Sequence, residues 1–286
     1  MVNSFQRRPL YLLGYVAPRA LVVALAVAAL LQWQEIGNWW LAALTLSLLL
    51  CMRFDALLLA LVPAALMTDD PLAALALGVA LLPLTWAAGI VSTVFIHNAS
   101  HGQFRPRWLN PVIGECAAFV LHSNYLGWAM VHYYHHKHTD DPELDPHAPR
   151  DQAFWPYANG MLPRVVTYLD GRHRELHNLP AWLNLATLVA GFLFLALSPL
   201  LWLLVLGPTW FFALWMPVVI TGQWLITVIN YQNHAADRPG PNQPINLDRK
   251  LWHRLVNRIG FGVFYHESHH GDSTRFDPRS ETPAAG

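Results

Sequence analysis

Cysteine is nearly missing from this chain: Cys51 and Cys116 are its only two, and they form no CxxC pair. That excludes a disulfide framework and a thiolate metal site, and leaves two small hydrophobes in or beside apolar runs. Charge is scarce as well. Charged residues make up 13% of the sequence against 54% hydrophobic, where a soluble domain carries about 25% charged. The formal net charge is zero, so nothing in the composition recruits nucleic acid. Lysine occurs twice against sixteen arginines, a hint of a GC-rich bacterial genome. No cleavable signal peptide is expected, because the first apolar segment is too long and no small-residue cleavage site stands out.

What the chain does have is long apolar runs. A transmembrane helix needs about 20 predominantly apolar residues, and 10–32, 71–96, 181–206 and 209–229 qualify. Gly207-Pro208 between the last two suits a tight hairpin. The stretch 39–67 would be roughly 43 Å long as one helix and is interrupted by Arg53-Phe54-Asp55, so it divides into 39–52 and 56–67. Fourteen of the eighteen basic residues lie in 97–179 and 230–286. The positive-inside rule puts those stretches in the cytoplasm. With Arg7 and Arg8 on the same side, an even number of crossings must precede residue 97. The expected fold is therefore an all-α integral membrane protein. It has about six apolar segments, or as few as four, since 39–67 can be one span, two short spans or re-entrant; they form one domain, 1–286, with a cytoplasmic helical cap. Shorter amphipathic pieces lie at 111–131 and 249–265. Trp39, Trp40, Trp202, Trp210 and Trp215, near segment ends, are expected as interfacial anchors.

Histidine is abundant, with fifteen residues, and it is gathered at segment ends and in the cap. His97-Asn-Ala-Ser-His101 sets two imidazoles at i and i+4 on one helix face, at the end of the apolar run 71–96. His132-Tyr-Tyr-His135-His136 and His266-Glu-Ser-His269-His270 each set three at i, i+3 and i+4. Asn230-Tyr-Gln-Asn-His234 begins where 209–229 ends. Nine imidazoles exceed what one zinc ion can use, since structural zinc closes at four ligands. The number argues for a pair of ions, while imidazole alone leaves iron, copper, zinc and nickel open. All four elements fall on one side of the membrane, so they can converge. His122, His173, His177 and His253 fit no box and read as structural.

At this point the sequence resembles the membrane fatty acid desaturase and hydroxylase superfamily, whose histidine boxes hold a non-haem di-iron centre. HYYHHKHTDDPELDPH is similar to the acyl-CoA desaturase pattern, in which an HxxHH box is followed by Asp-Pro-His, here Asp145-Pro146-His147 and one residue further on. Asn230 and His234 resemble the element that supplies one histidine and an asparagine reaching iron through water. HxxxH at 97–101 occurs in bacterial desaturases and hydroxylases alike, whereas the second box has desaturase spacing. The resemblance covers most of 90–275.

It implies two iron ions held by His97, His101, His132, His135, His136, His234, His266, His269 and His270, with Asn230 acting through water and O2 as co-substrate. The implied reaction is oxidation of an unactivated C–H bond in a fatty acyl chain, foremost desaturation. Hydroxylation or oxidative decarboxylation to a terminal alkene are the siblings on that scaffold. Asp140, Asp141, Asp145, His147 and Glu267 are candidates for holding the ligands' outer nitrogens. The acyl group would be linked to CoA, acyl carrier protein or lipid. A separate ferredoxin, rubredoxin or cytochrome b5-like donor with its reductase would bring electrons to the cytoplasmic face of a bacterial inner membrane. Arg105, Arg107, Arg172, Arg174 and Arg254 could meet a phosphate-bearing carrier or simply lipid headgroups.

Two readings from other classes compete. His266-Glu267-Ser268-His269-His270 also fits the HExxH of zinc proteases, but that leaves the earlier boxes unexplained. A metal transporter would place its ionisable residues within the spans, which here are nearly free of them.

Overall fold

The structure, a computed structural model, describes residues 60–149, 151–177, 181–234 and 244–280, together with Ala20 and Ala24. Apart from those two alanines, the expected segment 10–32 lies outside the described residues, as do 39–52 and the start of 56–67. Among the described residues all regular structure is helical, with one isolated backbone bridge between Asn246 and Tyr265. In chain order the helices are α1 (Leu61–Leu66), α2 (Pro71–Ser100), α3 (Leu109–Val120), α4 (Tyr125–Lys137), α5 (Phe154–His177), α6 (Ala181–Trp210), α7 (Met216–Asn233), α8 (Leu251–Ile259) and α9 (His266–Gly271). A π-helical turn, Phe211–Trp215, leads into α7, and a short 3-10 turn, Pro278–Ser280, follows α9.

The helix α2 starts where Asp70 turns its carboxylate onto the free amides of Leu72 and Ala73, 3.1 and 3.0 Å away, with Pro71 in the first turn. A side-chain acceptor and a proline at these positions are the ordinary helix start. From Leu72 to Leu84 one side of it is exposed, with Leu72, Leu75, Val79, Leu82 and Leu84, while Ala74, Leu77, Gly78 and Leu81 turn to the protein; no residue from Thr85 to Ser100 is exposed. One half of the helix thus keeps a bare apolar face and the other half is sheathed by the rest of the protein.

Two runs are long and apolar enough to cross a membrane, Pro71–Ser100 and Leu197–Asn233. The second is not one rod. At Gly207 the backbone takes φ 70° and ψ 165°, a region that glycine enters without steric cost, and the chain reverses. Trp202 and Trp215 would stand about 20 Å apart along a straight helix; their rings stack with centroids 6.0 Å apart. The expected hairpin at Gly207-Pro208 is therefore present. The anchor role expected for these tryptophans is corrected in part. Trp215, the last residue of the π-turn, is buried in the core and Trp202 donates its indole N–H to the Phe119 carbonyl, so both serve the interior, while Trp210 beside the turn is exposed.

Because the hairpin reverses the chain, α7 runs parallel to α2. Gly78 meets Ala213, Gly89 meets Val218 and Thr221, and the Thr93 hydroxyl lies 3.4 Å from the Gly222 carbonyl. A β-carbon at Gly89 would fall 2.8 Å from the Val218 carbonyl oxygen, so the absent side chain is what lets the two backbones come this close. Parallel packing in this register brings the end of α2, with His97 and His101, level with the end of α7, with Asn230 and His234.

Candidate metal centre

Four elements deliver imidazoles to this level. His97 lies in the last turn of α2 and His101 caps it; His132, His135 and His136 lie on α4; His234 caps α7; His266, His269 and His270 make up half of α9. α4 is started by Asn124, whose side chain accepts from the Gly127 amide at 3.2 Å; His135 and His136 lie in its last turn and His132 one turn earlier.

The nine histidines form two groups. His97, His101, His132, His136 and His269 gather in one, and His135, His234, His266 and His270 in the other; within each group the ligating atoms lie within 4.8 Å of one another. Each i, i+4 pair (97 and 101, 132 and 136, 266 and 270) stays together, whereas His135 and His269 cross to the group opposite their neighbours. Adjacent helical residues point about 100° apart, so His135 and His136 diverge towards different centres.

The nitrogens face inward in a pattern that fits a cation. His101 Nε2 is 2.8 Å from His132 Nε2, which is 3.1 Å from His136 Nε2, which is 3.1 Å from His269 Nε2. In the other group His270 Nε2 is 3.1 Å from His266 Nε2. Metal–nitrogen bonds of about 2.0–2.1 Å at right angles give nitrogen–nitrogen edges of about 2.8–3.0 Å. A neutral imidazole has a single N–H, and several of these rings have it committed elsewhere. His97 Nδ1 lies 2.9 Å from Asn98 Oδ1 and His135 Nδ1 lies 2.8 Å from Asp145 Oδ2. His270 Nδ1 lies 3.3 Å from Thr139 Oγ1, whose own proton goes to the His135 carbonyl at 2.9 Å. These rings therefore turn unprotonated Nε2 atoms to the centre; buried His135 Nε2 has no hydrogen-bond partner at all. Facing lone pairs repel unless a positive ion lies between them. The residues present fit two metal ions, and five imidazoles in one group exceed a closed tetrahedral zinc site.

The loop 139–147 braces the second group. Asp140 has a left-handed backbone (φ 63°), which aspartate tolerates. Asp145, fully buried, accepts from His135, from the Asp140 amide at 2.9 Å and from the His147 amide at 2.8 Å. Asp140 Oδ1 sits 3.0 Å from His234 Nδ1, close enough for strong attraction although the pair lacks hydrogen-bond alignment. Burial pushes the Asp145 carboxyl up, and the neighbouring His147 and the backbone amides work against that rise. Burial first, and neighbouring imidazoles second, hold His132, His135, His266 and His269 well below the usual histidine range. His147 is lowered to about 4 by burial. Neutral imidazole is the form that binds metal.

The first group opens onto a cleft. Its wall carries His97, His132 and His269 with His266 and Asn230, and facing them Val94, Ile226, Ile229, Val263 and Phe276. Asn230 is buried and its amide nitrogen donates to the Ile226 carbonyl at 2.9 Å, so a role towards a metal falls to Oδ1. Trp128 lines the same cleft with its indole stacked 5.7 Å from His132.

Other expected residues fall elsewhere. Glu267 is exposed and belongs to neither group; the carboxylate a zinc protease would need is turned to the outside. His147 is buried beside His135, ring centroids 5.5 Å apart, but belongs to neither group. Asp141 caps its own loop by accepting from the Glu143 and Leu144 amides. His122 packs near Ser198 and Trp215, and His253 against Phe264, both away from the two groups. Asn98 and Thr139 were not singled out from the sequence. Their only signal there is adjacency, Asn98 directly after His97 and Thr139 one helical turn after His135.

A family model described as Fatty acid desaturase matches residues 71–273, and the chain belongs to that family. It is similar to the chloroplastic palmitoyl-monogalactosyldiacylglycerol delta-7 desaturase of Arabidopsis thaliana, 27% identical over 183 residues, covering 63% of this chain and 48% of the relative. It is also similar to the sn-2 palmitoyl-lipid 9-desaturase of Nostoc sp., 26% identical over 201 residues, 65% of this chain and 67% of that one. With delta-9 acyl-lipid desaturase 2 of Arabidopsis thaliana it shares 38% over 69 residues, 23% of this chain and 22% of the relative. The chain thus spans from under a quarter to two thirds of these relatives' lengths, about half of the first. No solved structure matches. Family membership and the two long apolar runs together point to a membrane protein.

Proposed function

We propose that this chain is a fatty-acyl desaturase, an O2-dependent oxidoreductase that introduces a carbon–carbon double bond into an acyl chain. The observation that carries the reading is the pair of inward-facing imidazole groups, of which the first, joined by His266 of the second, opens onto a cleft with apolar lining. His97, His101, His132, His136 and His269 would hold one iron ion, His135, His234, His266 and His270 the other, with Asn230 acting through a water. Bound iron would supply the activation of O2 and the abstraction of hydrogen from an unactivated C–H bond, chemistry no side chain performs alone.

The chain's own residues do the rest. Val94, Ile226, Ile229, Val263 and Phe276 take up methylenes, each worth about 0.8 kcal/mol when buried, exclude water and fix which carbons lie beside His97, His132 and His269. Asp145, Asp140, Asn98 and Thr139 hold the outer ring nitrogens, so that the inner ones are unprotonated and cannot swing. The balance is two hydrogens lost from adjacent carbons and O2 reduced to two waters. Two electrons come from the substrate, and two, with two protons, from a separate carrier of ferredoxin, rubredoxin or cytochrome b5 type and its reductase. The names of the relatives, acyl-lipid and palmitoyl-lipid desaturases, favour a lipid-linked acyl group over CoA or acyl carrier protein. The same reading puts about six apolar segments across a bacterial inner membrane and the histidines on its cytoplasmic side.

The test is expression of the full chain in a heterologous bacterium, followed by mass spectrometry of lipids and hydrocarbons. A new unsaturated acyl chain is the expected product. A new alcohol or a terminal alkene would replace desaturation by hydroxylation or decarboxylation, and no oxidised lipid from iron-loaded protein with a working donor would overturn the reading.

A further inference from the structure

Helix α8 has two faces. Inward, His253, Val256 and Asn257 are buried, and Val256 joins a core with Ile90, Leu225, Val228, Ile229 and Phe264. Outward, Leu251 is 74% and Leu255 46% exposed, with Arg254 and Arg258 exposed on the same face and Arg249 and Lys250 exposed just before it. Two bare leucines among four cations are poorly placed in water, and they are equally ill suited to a dry protein contact.

The level of α8 along the membrane helices explains the mixture. Gly260, which ends α8, rests against Ile90 of α2, and Trp252 lies 6.0 Å from Trp224 of α7, ring to ring. Ile90 precedes His97 by about 10 Å of helix and Trp224 precedes His234 by about 15 Å. From the exposed Asp69 and Asp70 at the start of α2, a hydrocarbon core of about 30 Å corresponds to about 20 helical residues, which ends at the level of Ile90. The exposed apolar band of α2 stops just short of it, at Leu84. α8 therefore packs on α2 where hydrocarbon gives way to headgroups.

We infer that α8 lies in the headgroup layer of an anionic lipid leaflet, Leu251 and Leu255 dipping into the acyl boundary and Arg249, Lys250, Arg254 and Arg258 holding lipid phosphates. Helices with leucines on the buried face and basic residues around it bind in this manner, the basic residues being drawn to the negative potential of an anionic surface. Gly260, Phe261 and Val263, directly after α8, line the cleft. Docking α8 thus sets the cleft at the edge of the bilayer. This inference rests on the reading of the chain as a membrane protein and deepens the proposal of a lipid-linked substrate.

The test uses the full chain with Cys51→Ser and Cys116→Ser, labelled with a nitroxide at Leu255→Cys and, for an aqueous reference, at Glu143→Cys on the exposed loop. In phosphatidylglycerol nanodiscs the label at position 255 should be relaxed several-fold more by O2, and less by a water-soluble nickel chelate, than the label at 143. Arg254→Glu with Arg258→Glu should move it towards water in phosphatidylglycerol discs and leave it unmoved in phosphatidylcholine. Equal nickel access at both positions, shielding of position 255 from both relaxants, or shielding that appears only on adding an acidic electron carrier would each overturn the inference. So would an equal shift in both lipids. Lipid mass spectrometry on the same discs separates the two proposals. No unsaturated product with an interfacial label defeats the desaturase reading alone, and product with an aqueous label defeats the docking alone.

Discussion

The two imidazole groups are built from the same ligand type and differ in what stands behind them. The first, with His97, His101, His132, His136 and His269, faces the cleft and is backed by neutral groups: Asn98 on His97 and the Trp128 indole stacked on His132. The second, with His135, His234, His266 and His270, gives only His266 to the cleft and is backed by two carboxylates, Asp145 and Asp140. A carboxylate behind an imidazole raises its basicity and fixes its tautomer. The second group is thus the more electron-rich and the more rigid; the first is the one that a substrate can approach.

That contrast can be broken most severely from within. His132→Ala and His135→Ala should each lower desaturation at least 100-fold, and iron analysis should show fewer than two ions per chain in both. If either variant keeps two ions and activity, the division into groups is wrong. Next in size, Asp145→Asn should weaken metal binding at the second group by about 10–100-fold, leaving about one ion per chain after dialysis against a chelator. Asn98→Ala, removing a neutral partner, should weaken the first group by less than about tenfold; equal losses would erase the difference between the groups.

Acid should act on both. Burial holds His132, His135, His266 and His269 below the ordinary histidine value of 6.5, and His147 at about 4. Between those values the unfolded chain binds protons that the folded chain refuses, so folding stability is full above pH 6.5 and is lost as pH falls towards 4. Iron retention should decline over the same window, which titration of bound iron by chelator competition checks. The smallest effect is expected outside both groups. Glu267→Gln should leave iron content unchanged and activity within about twofold; loss of all activity with iron intact would return the zinc-protease reading to contention.

Much of the centre was legible in the sequence because helical spacing is rigid. His97 and His101, His132 and His136, and His266 and His270 are each four residues apart, and each pair does share a group. The crossing of His135 and His269 was not legible, since it depends on where the facing helices stand and not on the period of their own. Asn98 and Thr139 escaped notice for a similar reason: a hydrogen bond to a ring nitrogen is decided by rotamers. The turn at Gly207-Pro208 was visible in two residues, whereas the interior place of Trp202 and Trp215 was not, because an aromatic near a turn is equally at home against lipid or against its hairpin partner.

Both groups draw on chain made early and chain made late: the first needs His97 and His269, the second His135 and His270. Neither group is complete until α9 has been made, so under the proposed di-iron reading the loss of this six-residue helix would remove ligands from both centres at once.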